Sequence, residues 1–296
     1  MSGLLQRMGM ILAFMGVTLG SAGQHYPNWL QYLFNHQSVN PAYTAIGENL
    51  GFFVMNRSQL TGLSPADYSH QLSFHSPIFN QFNGAGFDMI ADRADSLAQL
   101  SLFTNYSYEL LIDEDIRLRM GGTFGLAHTT KILKEAEEKE LTGNFGIGAF
   151  IYSPNGFFSF SIPRLIKNNA ANLTPEERIL QENRLFFFST AALFPISEGV
   201  MLKPQLFYAI PFGKSSQMDL SFNLMLKEKT WVGLLYTPGQ RIGAMAEGHL
   251  YRQIRMALAT HIGRDGPTGK TVAFLDLSLS YGIDIYGRGK KPVNRF

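Results

Sequence analysis

The side chains able to do chemistry are few and poorly arranged for it. Seven histidines, no cysteine and 23 acidic residues are spread over 296 positions, and His25, His36, His70, His75, His128, His249 and His261 form no pair at metal-ligand spacing. His70 and His75 are the nearest approach, but an odd separation along an extended segment sends them to opposite faces. Gly213, Lys214 and Ser215 match the end of a phosphate-binding loop, yet Tyr208 stands where its first glycine belongs. Neither a nucleophile elbow nor a zincin helix motif occurs. Arg117 and Arg119 share a wet face and could hold an anion there; the plainer expectation pairs them with carboxylates such as Asp88 or Glu109. These residues point away from an enzyme and from any metal or organic cofactor. With 25 basic residues against the 23 acidic ones, nucleic acid is not an expected partner either.

The segments that must position these side chains repeat with a period of two. Over residues 68–76, Tyr68, His70, Leu72 and Phe74 alternate with Ser69, Gln71, Ser73 and His75. Over 98–111, Leu100, Leu102, Tyr106, Tyr108 and Leu110 oppose Gln99, Ser101, Asn105 and Glu109. The same alternation runs through 115–130, 217–226 and 271–285. Each segment is a strand with one apolar and one wet face. Strands of a soluble sandwich run to about 5 or 6 residues, whereas several of these match the ~9–11 residues of a tilted membrane strand or exceed them. Weaker candidates at 49–57, 84–92, 143–152, 156–163, 184–192, 200–209, 229–237, 240–250 and 252–261 bring the count to about fourteen, an even number, as a closed bacterial barrel requires. The 24 Phe, 12 Tyr and 29 Gly suit the same reading. The expected fold is all-β, a transmembrane antiparallel β-barrel of about 14 strands.

Connection lengths agree with it, because such barrels put short turns on the periplasmic side and long loops outside. Even-numbered connections are short, with 77–83 the longest, while odd-numbered ones include the charged stretches 131–142 and 164–183. The Lys/Glu cluster 131–140 and the loop 164–183 could dock a partner; the plainer expectation is a solvated loop. Thr174, Pro175, Glu176 and Glu177 read as the capped start of a short helix. Tyr106, Tyr108, Tyr152 and Tyr281 are expected as interfacial girdle residues. Arg7, the apolar run 8–19 and the small residues 20–23 read as a secretory signal. The run is shorter than the ~20 apolar residues of a spanning helix. The expected organisation is a signal peptide over 1–23, a periplasmic N-terminal segment over 24–48 that lies on the periplasmic side or tucks into the barrel mouth, an outer-membrane barrel over 49–286 and a basic tail over 287–296.

A more specific pattern follows the signal. It consists of Gln31, Tyr32, Leu33, Phe34 and Asn35, then Asn40, Pro41, Ala42 and Tyr43, then Arg57, Gln59 and Gly62, then Ser73, His75, Ser76 and Pro77, and finally Gly84 and Gly86. In this order the chain resembles the PorP/SprF family of outer-membrane proteins from the type IX secretion and gliding systems of Bacteroidota. Members carry Q-Y-M-F-N, N-P-A-Y, R-x-Q-W-x-G and H-x-P-like elements in that sequence. Here Leu33 replaces the methionine, Leu60 replaces the tryptophan, and a basic tail follows the last strand.

The resemblance implies a non-enzymatic role in the type IX machinery, with no cofactor. The partners it implies are secreted proteins carrying a type IX C-terminal signal domain, periplasmic or outer-membrane components of the apparatus, and outer-membrane lipid. From the residues alone a passive porin-like channel for small solutes stands as the alternative, with the lumen either open or plugged.

Overall fold

The computed structural model describes residues 32–46, 49–61, 67–94, 97–132, 137–166, 185–211, 216–227, 229–251, 253–264 and 271–285. A sheet of alternating strands has no exposed edge only if its last strand meets its first, and here it does. β1 (Asn49–Thr61) pairs antiparallel with β2 (Tyr68–Pro77) on one side and with β15 (Thr271–Asp284) on the other. From β2 the ring continues through β3 (Asn83–Ala94), β4 (Leu97–Leu111), β5 (Arg117–Ile132), β6 (Glu137–Ser153) and β7 (Gly156–Ile162) to β8 (Leu185–Ala192). β8 and the short β9 (Phe194–Ser197) lie end to end along one edge of β10 (Val200–Pro211) and make a single stave. At the break Leu193 is buried, and its N–H donates to the carbonyl of Asn155 at 2.8 Å. β11 (Gln217–Leu226), β12 (Thr230–Thr237), β13 (Arg241–Tyr251) and β14 (Ile254–Arg264) complete the circle. The result is a closed antiparallel barrel of fourteen staves, with each expected strand in place.

Burial is inverted relative to a water-soluble protein. Phe52, Val54, Leu102, Phe124, Ile147, Leu234 and Leu258 face outward, while Gln71, Ser101, Asn105, Asp219 and Asp276 are buried inside. That arrangement is stable when lipid solvates the outer face. Outward hydroxyls bond within the sheet, as lipid offers them no partner: Thr104 donates to the carbonyl of Phe124 at 3.0 Å and Thr190 to that of Phe157 at 2.8 Å. Tyr106, Tyr108 and Tyr281 are exposed as girdle residues should be. Tyr152 is not. The parity of β6 puts it on the inward side with Asn144 and Phe150, and its hydroxyl donates to Glu109 at 2.6 Å.

A second correction concerns height. The charged loop expected over 131–142 is instead the top of a hairpin, with β5 running to Ile132 and β6 starting at Glu137. Lys131 stands opposite Glu138 in the ladder, so opposite charges pair across strands where both faces are wet. The 17 residues of β6 extend roughly 55 Å along the strand at ~3.3 Å each, more than the ~25 Å apolar band needs even when tilted. β7 has only 7 residues and β8 only 8, so the wall is tall on one side and low on the other. The signal at 1–23, the helix start at 174–177 and the tail at 287–296 lie outside the described residues.

Candidate functional site: a lumen filled by the chain itself

Asn35 and Asn40 each start a 3-10 turn, His36–Ser38 and Pro41–Tyr43, and each caps its turn with its own side-chain oxygen. Oδ1 of Asn35 accepts from the N–H of Gln37 at 3.1 Å, and Oδ1 of Asn40 from that of Ala42 at 2.9 Å. Pro41 supplies a preset φ where no N–H is needed. Capping through oxygen leaves both side-chain NH2 groups to donate outward, and both donate to the barrel wall. Asn35 donates to Ser73 of β2 at 2.7 Å; Asn40 donates to Ser159 of β7 at 2.8 Å and to the carbonyl of Ala149 in β6 at 3.0 Å.

The wall returns these bonds. Gln37 donates to the carboxylate of Asp88 at 3.2 Å, which also accepts from Ser73 and Asn105. Ser107 and Ser161 donate to the backbone oxygens of Thr44 and Val39 at 2.7 and 2.6 Å. Residues 32–46 therefore lie within the ring, tied to β2, β3, β4, β6 and β7. Inward glycines make room for them. A Cβ on Gly121 would sit 2.5 Å from the carbonyl carbon of Pro41, and one on Gly84 would sit 2.6 Å from the oxygen of Thr44. Backbone stands on both sides of each contact, so neither side yields.

Aromatic contacts hold the segment as well. Tyr32 stacks on Phe207 with centroids 3.8 Å apart, and its hydroxyl points at Asp219. His36 packs edge-on against Phe157 and Tyr43 edge-on against Phe150. Burial pushes the His36 imidazole down to about 3, with the Lys203 ammonium adding to the effect, and pushes the Tyr43 phenol up to about 12. Both rings are thus neutral near pH 7.

Two groups of charges in the wall are paired within themselves. Arg57 grips Asp276 with two bonds of 2.6 and 2.8 Å, and both side chains are buried. Glu109 accepts from Arg117 at 2.7 Å, Arg119 at 3.0 Å and Tyr152 at 2.6 Å. The carboxylate expected for Arg117 and Arg119 is therefore Glu109, while Asp88 serves the N-terminal segment. Residues 163–166 turn inward after β7. Leu165 donates to the carbonyl of Phe145 at 2.8 Å, and Asn144 donates to that of Ile166 at 3.0 Å. The Arg164 guanidinium lies 5.1 Å over the Phe103 ring.

Of the residues singled out from the sequence, Tyr32, Asn35, Asn40, Pro41, Ala42 and Tyr43 come together in the lumen, and Phe34 lines a cavity beside them. Arg57 and Gln59 face inward from β1; Gln59 accepts from the N–H of Asp67 at 3.0 Å, which stiffens the end of the first hairpin. Gln31 and Gly62 lie outside the described residues. Ser73, Gly84 and Gly86, the later elements of the same pattern, contact the segment directly. Sequence reasoning missed Gly121, Gly148, Ser107, Ser159 and Ser161. The available signal was small residues at inward parity in strands whose outward positions are bulky. Among the described residues no group of His, Asp or Glu could hold a metal ion.

Comparison with known proteins follows the same lines. The model of a family described as type IX secretion system membrane protein PorP/SprF matches residues 21–281. No curated protein matches. Among solved structures, a Pseudomonas aeruginosa FadL homologue superposes with a TM-score of 0.53 at 11% identity, covering 90% of this chain and 96% of its own. The Acinetobacter baumannii outer membrane protein Omp33 gives 0.50 at 9% identity, with 80% and 100% covered. The CymD monoaromatic hydrocarbon channel gives 0.50 at 10%, with 84% and 92% covered. At such identities the likeness establishes the fold, an outer-membrane barrel, and nothing finer.

Proposed function

Because the chain belongs to the PorP/SprF family of type IX secretion system membrane proteins, we propose that it works as a non-enzymatic docking barrel of that machinery in the outer membrane. Its long-loop end receives or anchors secreted proteins bearing a type IX C-terminal signal domain. Its short-turn end faces the periplasm and contacts components of the apparatus there. In this reading residues 1–23 are removed on export and the basic tail 287–296 remains on the periplasmic side.

The observation that supports this role is the filled lumen. Residues 32–46 are bonded to five strands and residues 163–166 fold in after β7, so the surfaces left to act are the two ends. A polar lumen would favour a small-solute channel, the second reading, but here many of its polar groups bond to the chain's own segment or to one another. Purification of the tagged protein from its native outer membrane in mild detergent, followed by mass spectrometry, tests the proposal. Secretion components or a surface protein should accompany the barrel. A lone barrel recovered under these conditions would overturn the docking role.

A further inference from the structure

Between the N-terminal segment and the wall at the short-turn end lies a cavity of about 130 Å³, large enough for several waters. Its charge is unbalanced. Lys203, inward on β10 and only 8% exposed, places its ammonium 4.7 Å over the ring of Trp231. No carboxylate lies within ion-pair distance of it among the described residues. Glu247, the acidic residue lining the cavity, is held by Arg255 at 3.0 Å. The lining thus carries two cations and one anion. A cation over an indole gains well less than an unpaired buried charge costs. Gln205, whose Nε2 also donates to Ser189 at 3.5 Å, adds an amide donor to the lining.

We propose that this cavity binds a carboxylate group, with Lys203 as its counter-ion. Trp231 and Met245 add apolar surface to the lining, which suits a carboxylate carried on a short carbon chain better than a hydrated inorganic anion. Such a group could come from a free short-chain acid or from a glutamate of a polypeptide reaching the turn end. The site does not depend on the secretion role, and its loss would leave that role standing.

Trp231 is a built-in reporter, since the chain has two tryptophans and Trp29→Phe removes the other. The full barrel in detergent is titrated with propionate, with a capped glutamyl tripeptide, and with propionamide and chloride as controls. A saturable change in Trp231 emission with propionate supports the site and a free acid as its ligand. A change with the tripeptide alone supports it with a polypeptide as the source. Lys203→Met should weaken binding about tenfold or more, while Lys203→Arg should retain it. Retained heat-modifiable gel mobility shows that each variant is folded. Equal responses to propionate and propionamide on the unmodified lysine, no response to either carboxylate, or unchanged binding in folded Lys203→Met would each overturn the proposal.

Discussion

Asn40 and Ser159, 119 positions apart in the chain, are joined by a 2.8 Å hydrogen bond inside the ring. The same asparagine caps its own 3-10 turn, so one side chain both shapes the N-terminal segment and fastens it to β7. Asn40→Ala should therefore cost about 1–3 kcal/mol, combining a lost cap with donors and acceptors left unpaired. Asn40→Asp keeps the cap but cannot donate to Ser159 or Ala149, and should be at least as harmful. The temperature at which the barrel loses its folded gel mobility measures both.

Gly121 should tolerate no side chain. Its missing Cβ is the space occupied by Pro41 and Ala42, and overpacking against backbone typically costs about 1–3 kcal/mol. Gly121→Val should displace the segment or lower the unfolding temperature. Gly122, next along β5, is the matched control: an added Cβ there would meet only the Gly146 carbonyl oxygen at 3.7 Å, an ordinary contact, and Gly122→Ala should have little effect.

The Arg57–Asp276 pair should be costly to break and cheap to replace. Removing one partner strands a buried charge, at roughly 3–5 kcal/mol, while removing both with apolar residues of similar size is often close to neutral. Arg57→Met should thus destabilise the barrel strongly, and adding Asp276→Leu should restore most of the loss. Thermal unfolding of the two single variants and the double variant forms the cycle that checks this.

His36 makes docking of the segment sensitive to acid. Its folded value lies near 3 against an ordinary 6.5, so the unfolded chain takes up the extra proton between those limits. The stability it lends is complete above about pH 6.5 and is lost as the pH falls toward 3. His36→Gln should flatten the part of the unfolding temperature's pH dependence that lies in this window.

In planar bilayers the protein should show no steady open pore, because residues 32–46 occupy the lumen. Gly121→Val, if it expels the segment, should raise the conductance. A large constant conductance from the unaltered barrel would favour the channel reading.

The barrel itself was legible in the sequence because lipid and lumen impose opposite polarity on alternate residues, and Leu100 to Glu109 shows that alternation at every position but Phe103 and Thr104. The ends of strands were less legible. Lys131 and Glu138 look like loop residues until their pairing across β5 and β6 is known. Tyr152 was misplaced because a tyrosine near a strand end reads as a girdle residue, whereas one inward position and a carboxylate at Glu109 decide its direction. The N-terminal pattern was visible as motifs, but its meaning as one joint was not. Asn35 with Ser73, and Thr44 with Gly84, are contacts between segments whose approach only the closed ring creates.

The central claim, that the chain fills its own lumen, is most directly tested by bridging Asn35 to Ser73. The protein has no cysteine, so Asn35→Cys with Ser73→Cys supplies the only two thiols. In intact outer membranes dibromobimane, which fluoresces when both its ends react, should join them and leave neither open to a maleimide. If both thiols take up maleimide freely and no bridged product forms, the segment is elsewhere and the filled lumen is contradicted.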